Sequence, residues 1–249
     1  MAESSDRLKL DDQYTFACHR GLECYTSCCR DVNIFLSPHD VMRLKNAIGI
    51  DSGEFLRKYA DIITVPGKVL PLVQLKMDPD NDKKCFFVRD HGCIYYEHRP
   101  WACRMFPLDE HGEGGFAISP SPERCHGLVK GNPWVVKEWL MDQGATQSKE
   151  ADGQWESLAT NQLLNEVEAE NPQIQQMIIM ALYDLDRFRD FVFNSSFLER
   201  FDLEPEKIDA VKTAEIALMD LGFAWVRFGL LGQKTLKLKQ DTPAAGAKG

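Results

Sequence analysis

"CHRGLECYTSCC" (residues 18–29) holds four of the chain's eight cysteines, two of them adjacent. An isolated cysteine is often a small buried apolar residue, but that does not account for thiols this dense. A disulfide between Cys28 and Cys29 is disfavoured, because adjacent α-carbons sit about 3.8 Å apart, below the usual disulfide range. Metal ligation explains the grouping better, since soft thiolates suit zinc, iron–sulfur clusters and cuprous copper. Cys24 and Cys28 stand at i and i+4, so one helical turn would present both on one face. Cys29 would lie about 100° around that turn, serving the same ion from the side or a neighbouring one.

The remaining thiols are Cys85, Cys93 and Cys103 in "CFFVRDHGCIYYEHRPWACRMFP" (85–107) and Cys125 in "ERCHGLVKG". A regular hairpin closed at Val88 and Cys93 would project Cys85 and Cys93 from opposite faces, toward different centres, unless a bulge changes the parity. Eight thiols suffice for two tetrahedral four-thiolate sites, or for one cluster and one zinc. The spacing is neither that of a paired C-x2-C ribbon nor that of the ferredoxin run, so zinc and iron both stay open. Arg30 and Arg104 directly follow cysteines and are candidates to offset thiolate charge. His19, His91, His98 and His126 lie near cysteines. With eight thiols available, they are expected around the sites or at the surface rather than as ligands, and His98 and Arg99 can orient ligands by hydrogen bonds.

Composition is that of an ordinary globular chain, with 44% hydrophobic and 27% charged residues. The net charge of −9 is uneven: residues 1–130 carry 17 basic and 19 acidic side chains, and residues 131–249 carry 12 and 19. Neither half offers the basic surface that phosphate backbones require, so nucleic acid is not an expected partner. No apolar run approaches the roughly 18–20 residues that span a bilayer, so no membrane is expected. The first residues lack the basic start and apolar stretch of a secretory signal. The expected location is therefore cytoplasmic, where clustered cysteines point to metal or redox chemistry rather than structural disulfides. Nucleophile-elbow, H-E-x-x-H and dinucleotide glycine patterns are absent, and no catalytic residue is assigned.

The predicted fold class is α+β: a small cysteine-rich metal-binding domain at 1–130, then an all-helical domain at 131–249 with a short disordered C-terminal tail. In the first part, Ser37 as cap, Pro38 at N1, Asp40 at N3 and the terminating Gly49 predict a helix over 37–49. A second helix is expected over 51–61. Between 62 and 96, "IITV", "VLPLVQLKM", "CFFV" and "CIYY" read as short strands, with "RDHG" as a turn, and "EGGFAIS" (113–119) adds another. From 131 onward, Asn132–Pro133 and Asn171–Pro172 read as cap pairs, and helices are expected near 133–142, 154–169, 172–193 and 205–231. "DQGATQSKEADG" (142–153) reads as a polar linker, and "KTLKLKQ" (234–240) as a solvated helix end or tail.

Four stretches, "FACHRGLECYTSCCR", "LSPHDVMRLKNAIGIDSGEFL", "CIYYEHRPWACRMFP" and "CHGLVKG", together resemble the bacterial CxxCxxCC cysteine-cluster family over roughly residues 16–130. The pattern C-I-Y-x-x-R-P-x-x-C-R-x-F-P is the most specific of them. The resemblance implies zinc or iron chelation, with Cys18, Cys24, Cys28, Cys29, Cys85, Cys93, Cys103 and Cys125 as the metal set, and no established reaction. The chain departs from the name, since five residues separate Cys18 from Cys24 and three separate Cys24 from Cys28. The leading expectation is a cytoplasmic protein chelating zinc or iron, a 4Fe-4S cluster included. The alternatives are an iron–sulfur enzyme modifying a protein or peptide held by the helical half, and a structural zinc scaffold for a protein partner.

Overall fold

Ser37 and Asp40 set the first long helix as the sequence predicts. The Asp40 amide donates to the Ser37 hydroxyl at 3.0 Å, and the Ser37 amide donates back to the Asp40 carboxylate at 3.3 Å. This reciprocal cap satisfies two otherwise orphaned donors at the start of Pro38–Ile48. Gly49 ends the helix at φ 81°, a conformation that costs glycine nothing. Asp51 caps the next helix, Ser52–Tyr59, accepting from the Glu54 amide at 2.7 Å.

The computed structural model describes residues 7–112, 114–168 and 171–239. These have mixed α+β architecture, with twelve α-helices and five two-stranded sheets among the described residues. The chain divides into two compact units. One comprises residues up to Asp40, Tyr59–Asp61 and Gln74–Gly153; the other comprises Val41–Lys58, Ile62–Val73 and the chain from Gln154 onward. The expected disordered tail falls in 240–249, outside the described residues.

The first unit contains all eight cysteines. Gln13–Phe16 pairs antiparallel with Asn132–Val135, with Tyr14 opposite Trp134 and Phe16 opposite Asn132. Residues 132–135 were expected to open a helix, and they are a strand instead. Pro133 has no N–H to donate, but in a two-stranded ladder each strand has an outer edge where none is needed. Trp134 and Val135 suit the pleat, and the helix starts later, at Val136. The expected linker 142–153 is also corrected. Ala145–Ala151 is helical, and Ala145, Ser148 and Asp152, spaced by three and four, are its buried stripe. A stripe of small and polar residues carries almost no hydropathy signal.

The core of this unit gathers Phe16, Met105, Leu108, Phe116, Val136, Trp139 and Leu140 beside the buried Cys125. Phe16 meets Trp139 edge-on at 5.1 Å and Phe106 at 5.9 Å. The short helix Gly127–Lys130 lies almost on the backbone that runs from Phe16 toward Cys18. A Cβ at Gly127 would fall 1.9 Å from the Ala17 carbonyl oxygen, and one at Gly131 would fall 2.3 Å from the Phe16 carbonyl carbon. The Ala17 amide donates to the Gly127 carbonyl at 3.1 Å. Two glycines thus bring Cys125 beside the first cysteine loop across a sequence gap of some hundred residues. Gly127→Ala is expected to cost at least about 1–3 kcal/mol by forcing these backbones apart, read as a lower denaturation midpoint. An unchanged midpoint would contradict the close approach.

In the second unit, Phe188, Leu218, Leu221 and Val226 are fully buried. Gly222 lets two helices meet, because a Cβ there would lie 2.2 Å from the Ala181 carbonyl oxygen. The predicted helices are segmented: 154–169 gives Gly153–Ala159 and a 3-10 turn at Gln162–Glu166, with 169 outside the described residues, 172–193 breaks into Pro172–Leu182 and Leu185–Asn194, and 205–231 breaks at Ala214. Asn171 caps as expected, accepting from the Gln173 and Ile174 amides. Residues 41–58 belong to this unit. Ser52 donates its hydroxyl to Asp184 and accepts from the Asp186 amide, while the buried Lys45 Nζ pairs with Glu215 and Asp186. Residues 234–239 are not a solvated tail, since Leu238 bridges to Phe201 and Lys239 donates to the Arg200 carbonyl. Among the described residues, no helix is long and apolar enough to cross a membrane.

Candidate metal centre

The loop 18–30 is not the helical turn that the Cys24–Cys28 spacing predicts. It is a succession of tight turns, closed by Leu22, Tyr25, Ser27 and Cys29 amides donating to His19, Leu22, Cys24 and Thr26 carbonyls. Thr26 is left-handed at φ 66°, which breaks helical continuation, and a 3-10 turn at Ser27–Cys29 follows.

Two anchors tie this loop to the second cysteine segment. The Tyr25 hydroxyl donates to the His91 carbonyl at 3.1 Å, and Arg20 reaches the same oxygen at 3.3 Å. Gly92, at φ 110°, leaves room for the phenol, since a Cβ there would sit 2.5 Å from it. Past the loop, Arg30 and Lys84 form an antiparallel bridge. Cys29 and Cys85, their sequence neighbours, are thereby brought close.

The hairpin closes at Val88 opposite Cys93 with Asp90–His91 as its turn, as expected. The strand does not run back through "CFFV", however. Cys85 pairs with Met77 in a separate ladder, and Phe86–Phe87 form a turn between the two. The parity argument that sent Cys85 and Cys93 to opposite faces required a continuous strand, so it fails here. Each thiolate raises the other's proton affinity or that of Cys103, placing all three in one electrostatic neighbourhood.

Electrostatic influence links the thiols in two overlapping sets. Cys18 responds to Cys28, Cys125 and Cys24, and Cys125 responds to Cys24 and Cys28. Cys29 responds to Cys103 and Cys85, and Cys103 to Cys85 and Cys93. The groups meet at the adjacent pair, where Cys29 hydrogen-bonds Cys28, holding Cys28 below and pushing Cys29 above the usual thiol range. Among the described residues, no three His, Cys, Asp or Glu side chains converge tightly enough to hold a metal ion as they stand.

The donor chemistry nonetheless suits a soft metal. Cys85 accepts a hydrogen bond from the Phe87 amide, Cys93 from Tyr95, and Cys125 from Gly127 and Leu128. The His126 amide donates to Cys24 Sγ at 3.3 Å. Amides aimed at sulfur from two residues on stabilise thiolate over thiol, which is the form a metal binds. Cys85 also lines one wall of an open groove of about 640 Å³, with Lys84, Arg89 and Asp90 around it.

The arginines divide differently from expectation. Arg104 is buried, and its guanidinium donates to the carbonyls of Arg99, Gln143 and Glu97. Arg30 holds the 81–82 loop through two carbonyls and the Asp82 carboxylate. Both are thus committed to holding backbone. The cations that favour thiolate are Arg89, near Cys85, and Arg99, which acts on Cys18, Cys93 and Cys103 and so on both groups. Arg99 is fixed by the Tyr96 ring 3.4 Å beneath it and by Gln143 Oε1 at 3.0 Å. Sequence reasoning gave Arg99 only a hydrogen-bonding role and missed Arg89; each stands four residues from the nearest cysteine, so neither carries a local signal. His19 accepts from the Gly21 amide at 3.1 Å, so it caps a turn.

Burial pushes Cys18 up to about 11 and Cys103 up to about 12, and raises Cys85, Cys93 and Cys125. The signs give opposite pH behaviour with and without metal. Without it, raised thiols favour folding below the unfolded value of 9.0, and that contribution is lost as pH climbs toward about 11 to 12. With metal, thiolates must stay deprotonated, so acid destabilises and loading releases protons. Urea titrations under reducing conditions are expected to show the metal-free chain weakening from pH 8 to 10 and the loaded chain gaining on it. Parallel pH profiles would contradict this.

Residues 17–126 match the model of the CxxCxxCC family, whose description reads "Putative zinc- or iron-chelating domain". The matched span carries all eight cysteines and supports metal binding, with zinc or iron as the metal. No curated protein and no solved structure matches the chain.

Proposed function

We propose that the chain is a cytoplasmic metal-chelating protein that holds zinc or iron in two four-thiolate centres. Cys18, Cys24, Cys28 and Cys125 form one centre, and Cys29, Cys85, Cys93 and Cys103 the other. The observation that carries the reading is the zinc- or iron-chelating family match over residues 17–126, which holds all eight thiols, together with the backbone contacts that seat Cys24 beside His126 and Cys29 beside Cys85. Closing each group onto a cation needs the thiols to draw together, and the metal–thiolate bonds supply the energy for it. The metal, once bound, acts as a cross-link of distant segments. The chain's own contribution is to align the sulfurs, shield them and balance their charge through Arg89 and Arg99. Thiolate ligands persist in a reducing compartment, which supports the cytoplasmic assignment.

Four thiolates per centre leave no open coordination position, and this favours a chelating or scaffold role over an enzyme. A 4Fe-4S cluster in either group is the alternative occupant, with the same four-cysteine demand. The helical residues after 153, with residues 41–58, form the platform through which a protein partner would be engaged. The test is anaerobic purification followed by metal analysis and an absorption spectrum. Colourless protein with zinc selects the two-zinc form, and brown protein with iron and acid-labile sulfide selects the cluster. Protein without either metal would refute the proposal.

A further inference from the structure

Cys85 is a minor part of the open groove of about 640 Å³ that it borders. The lining comes from two short ladders and the turns beside them. Asp78 and Lys84 are cross-strand partners in the first ladder, and Arg89 closes the second with Asp90 next to it in the hairpin turn. Phe86, half-buried, and Val88, buried, supply the apolar part. The groove thus holds two acids and two bases. Among the described residues, no ion pair joins any two of them; the pairs nearest in sequence are Arg30–Asp82 and Lys83–Asp31. Two of the four are held in place by the backbone. Arg89 Nη1 donates to the Phe86 and Val88 carbonyls at 2.8 and 3.0 Å, and Asp78 Oδ1 accepts from the Asp80 amide at 3.1 Å. A charge positioned before its ligand arrives loses less freedom on binding.

Charge balance narrows the ligand. A plain anion drawn to Arg89 and Lys84 would meet Asp78 and Asp90 in the same groove, and a plain cation would meet the reverse. A molecule with one charge of each sign satisfies both pairs. The volume lies within the roughly 300–1,000 Å³ of small-molecule sites, and a single amino acid would leave most of it unfilled. We propose that the groove binds a short peptide with free ends. Its carboxylate goes to Arg89 and Lys84, its ammonium to Asp78 and Asp90, and its middle lies on Phe86 and Val88. With Nη1 of Arg89 on the backbone, the Nε–Nη2 edge is the planar fork left to match a carboxylate. None of these contacts involves a sulfur, so the site goes beyond the metal reading and does not rest on it.

The experiment is calorimetric titration of the full-length protein, as purified under reducing conditions, with triglycine. N-acetyl-triglycine, triglycine amide and the doubly blocked peptide are titrated beside it. Triglycine is expected to bind in the millimolar range or tighter, and each single block to weaken it about tenfold, the loss of one charge-assisted contact. Lys84→Gln and Asp90→Asn should each weaken triglycine by a similar factor. Among the described residues neither side chain makes a hydrogen bond or ion pair, so the far-ultraviolet circular dichroism should stay unchanged in both. Equal affinity for triglycine and N-acetyl-triglycine would mean a plain anion site, and equal affinity for triglycine and its amide a plain cation site. Either result would overturn the proposal. So would no binding of triglycine at millimolar concentration, or unchanged binding in both variants.

Discussion

A chain carrying both Cys28→Ser and Cys29→Ser is expected to lose metal from both cysteine groups at once. The reason is the proposed split of the pair, with Cys29 beside Cys85 through the Arg30–Lys84 bridge and Cys28 assigned with Cys18 and Cys125. Each single substitution should spare one group. Structural zinc sites bind with apparent energies of about 10–16 kcal/mol spread over four ligands, so one lost thiolate costs on the order of 3 kcal/mol, about a hundredfold in affinity. Metal content after dialysis against a competing chelator reads the effect. Full stoichiometry in the double variant would show that the pair does not ligate. Equal loss from both groups in a single variant would show that the pair serves one shared centre.

Removing metal from the loaded chain under reducing conditions is expected to expose the first compact unit to proteolysis well before the second. Outside its Tyr14–Phe16 and Trp139 core, the cysteine segments are held by two-residue ladders and turns. Bringing Cys18–Cys29 and Cys85–Cys125 together closes a long loop, whose entropy metal–thiolate bonds offset. The second unit has no cysteine, and its support is apolar packing around Phe188 and Leu221 with the Lys45 and Ser52 polar contacts. Early cuts should fall in 18–31 and 79–99, while fragments spanning 154–239 persist. Uniform resistance after chelation would mean that the cysteines decorate a core that stands without them. Equally early cleavage in both units would mean that they unfold together.

Local signals were legible in the sequence. The Ser37–Asp40 cap, Gly49 and the Asn171–Pro172 start each concern atoms within four residues of one another, and the structure has each of them. Features decided by distant partners were not. Asn132–Val135 becomes a strand because Gln13–Phe16 lies beside it, and no window around Pro133 contains that strand. "CFFV" looks like one strand, but Cys85 is claimed by Met77 and Val88 by Cys93, so Phe86–Phe87 must turn. The i, i+4 spacing of Cys24 and Cys28 reads as a helical turn, and none forms, because Thr26 is left-handed and successive tight turns replace it. The approach of Cys125 to the first cysteine loop and of Cys85 to Cys29 was illegible for the same reason: it depends on Gly127 and Gly131 seating one segment on another, and on the Arg30–Lys84 bridge.

The central claim is that these thiols hold a metal with sulfur alone. X-ray absorption fine structure at the metal edge of the full-length protein, purified without oxygen, tests it most directly. The account predicts about four sulfur neighbours at about 2.3 Å around zinc, or an all-sulfur shell with iron–iron neighbours if a cluster is present. A first shell dominated by nitrogen or oxygen would contradict it, and so would the absence of any zinc or iron edge.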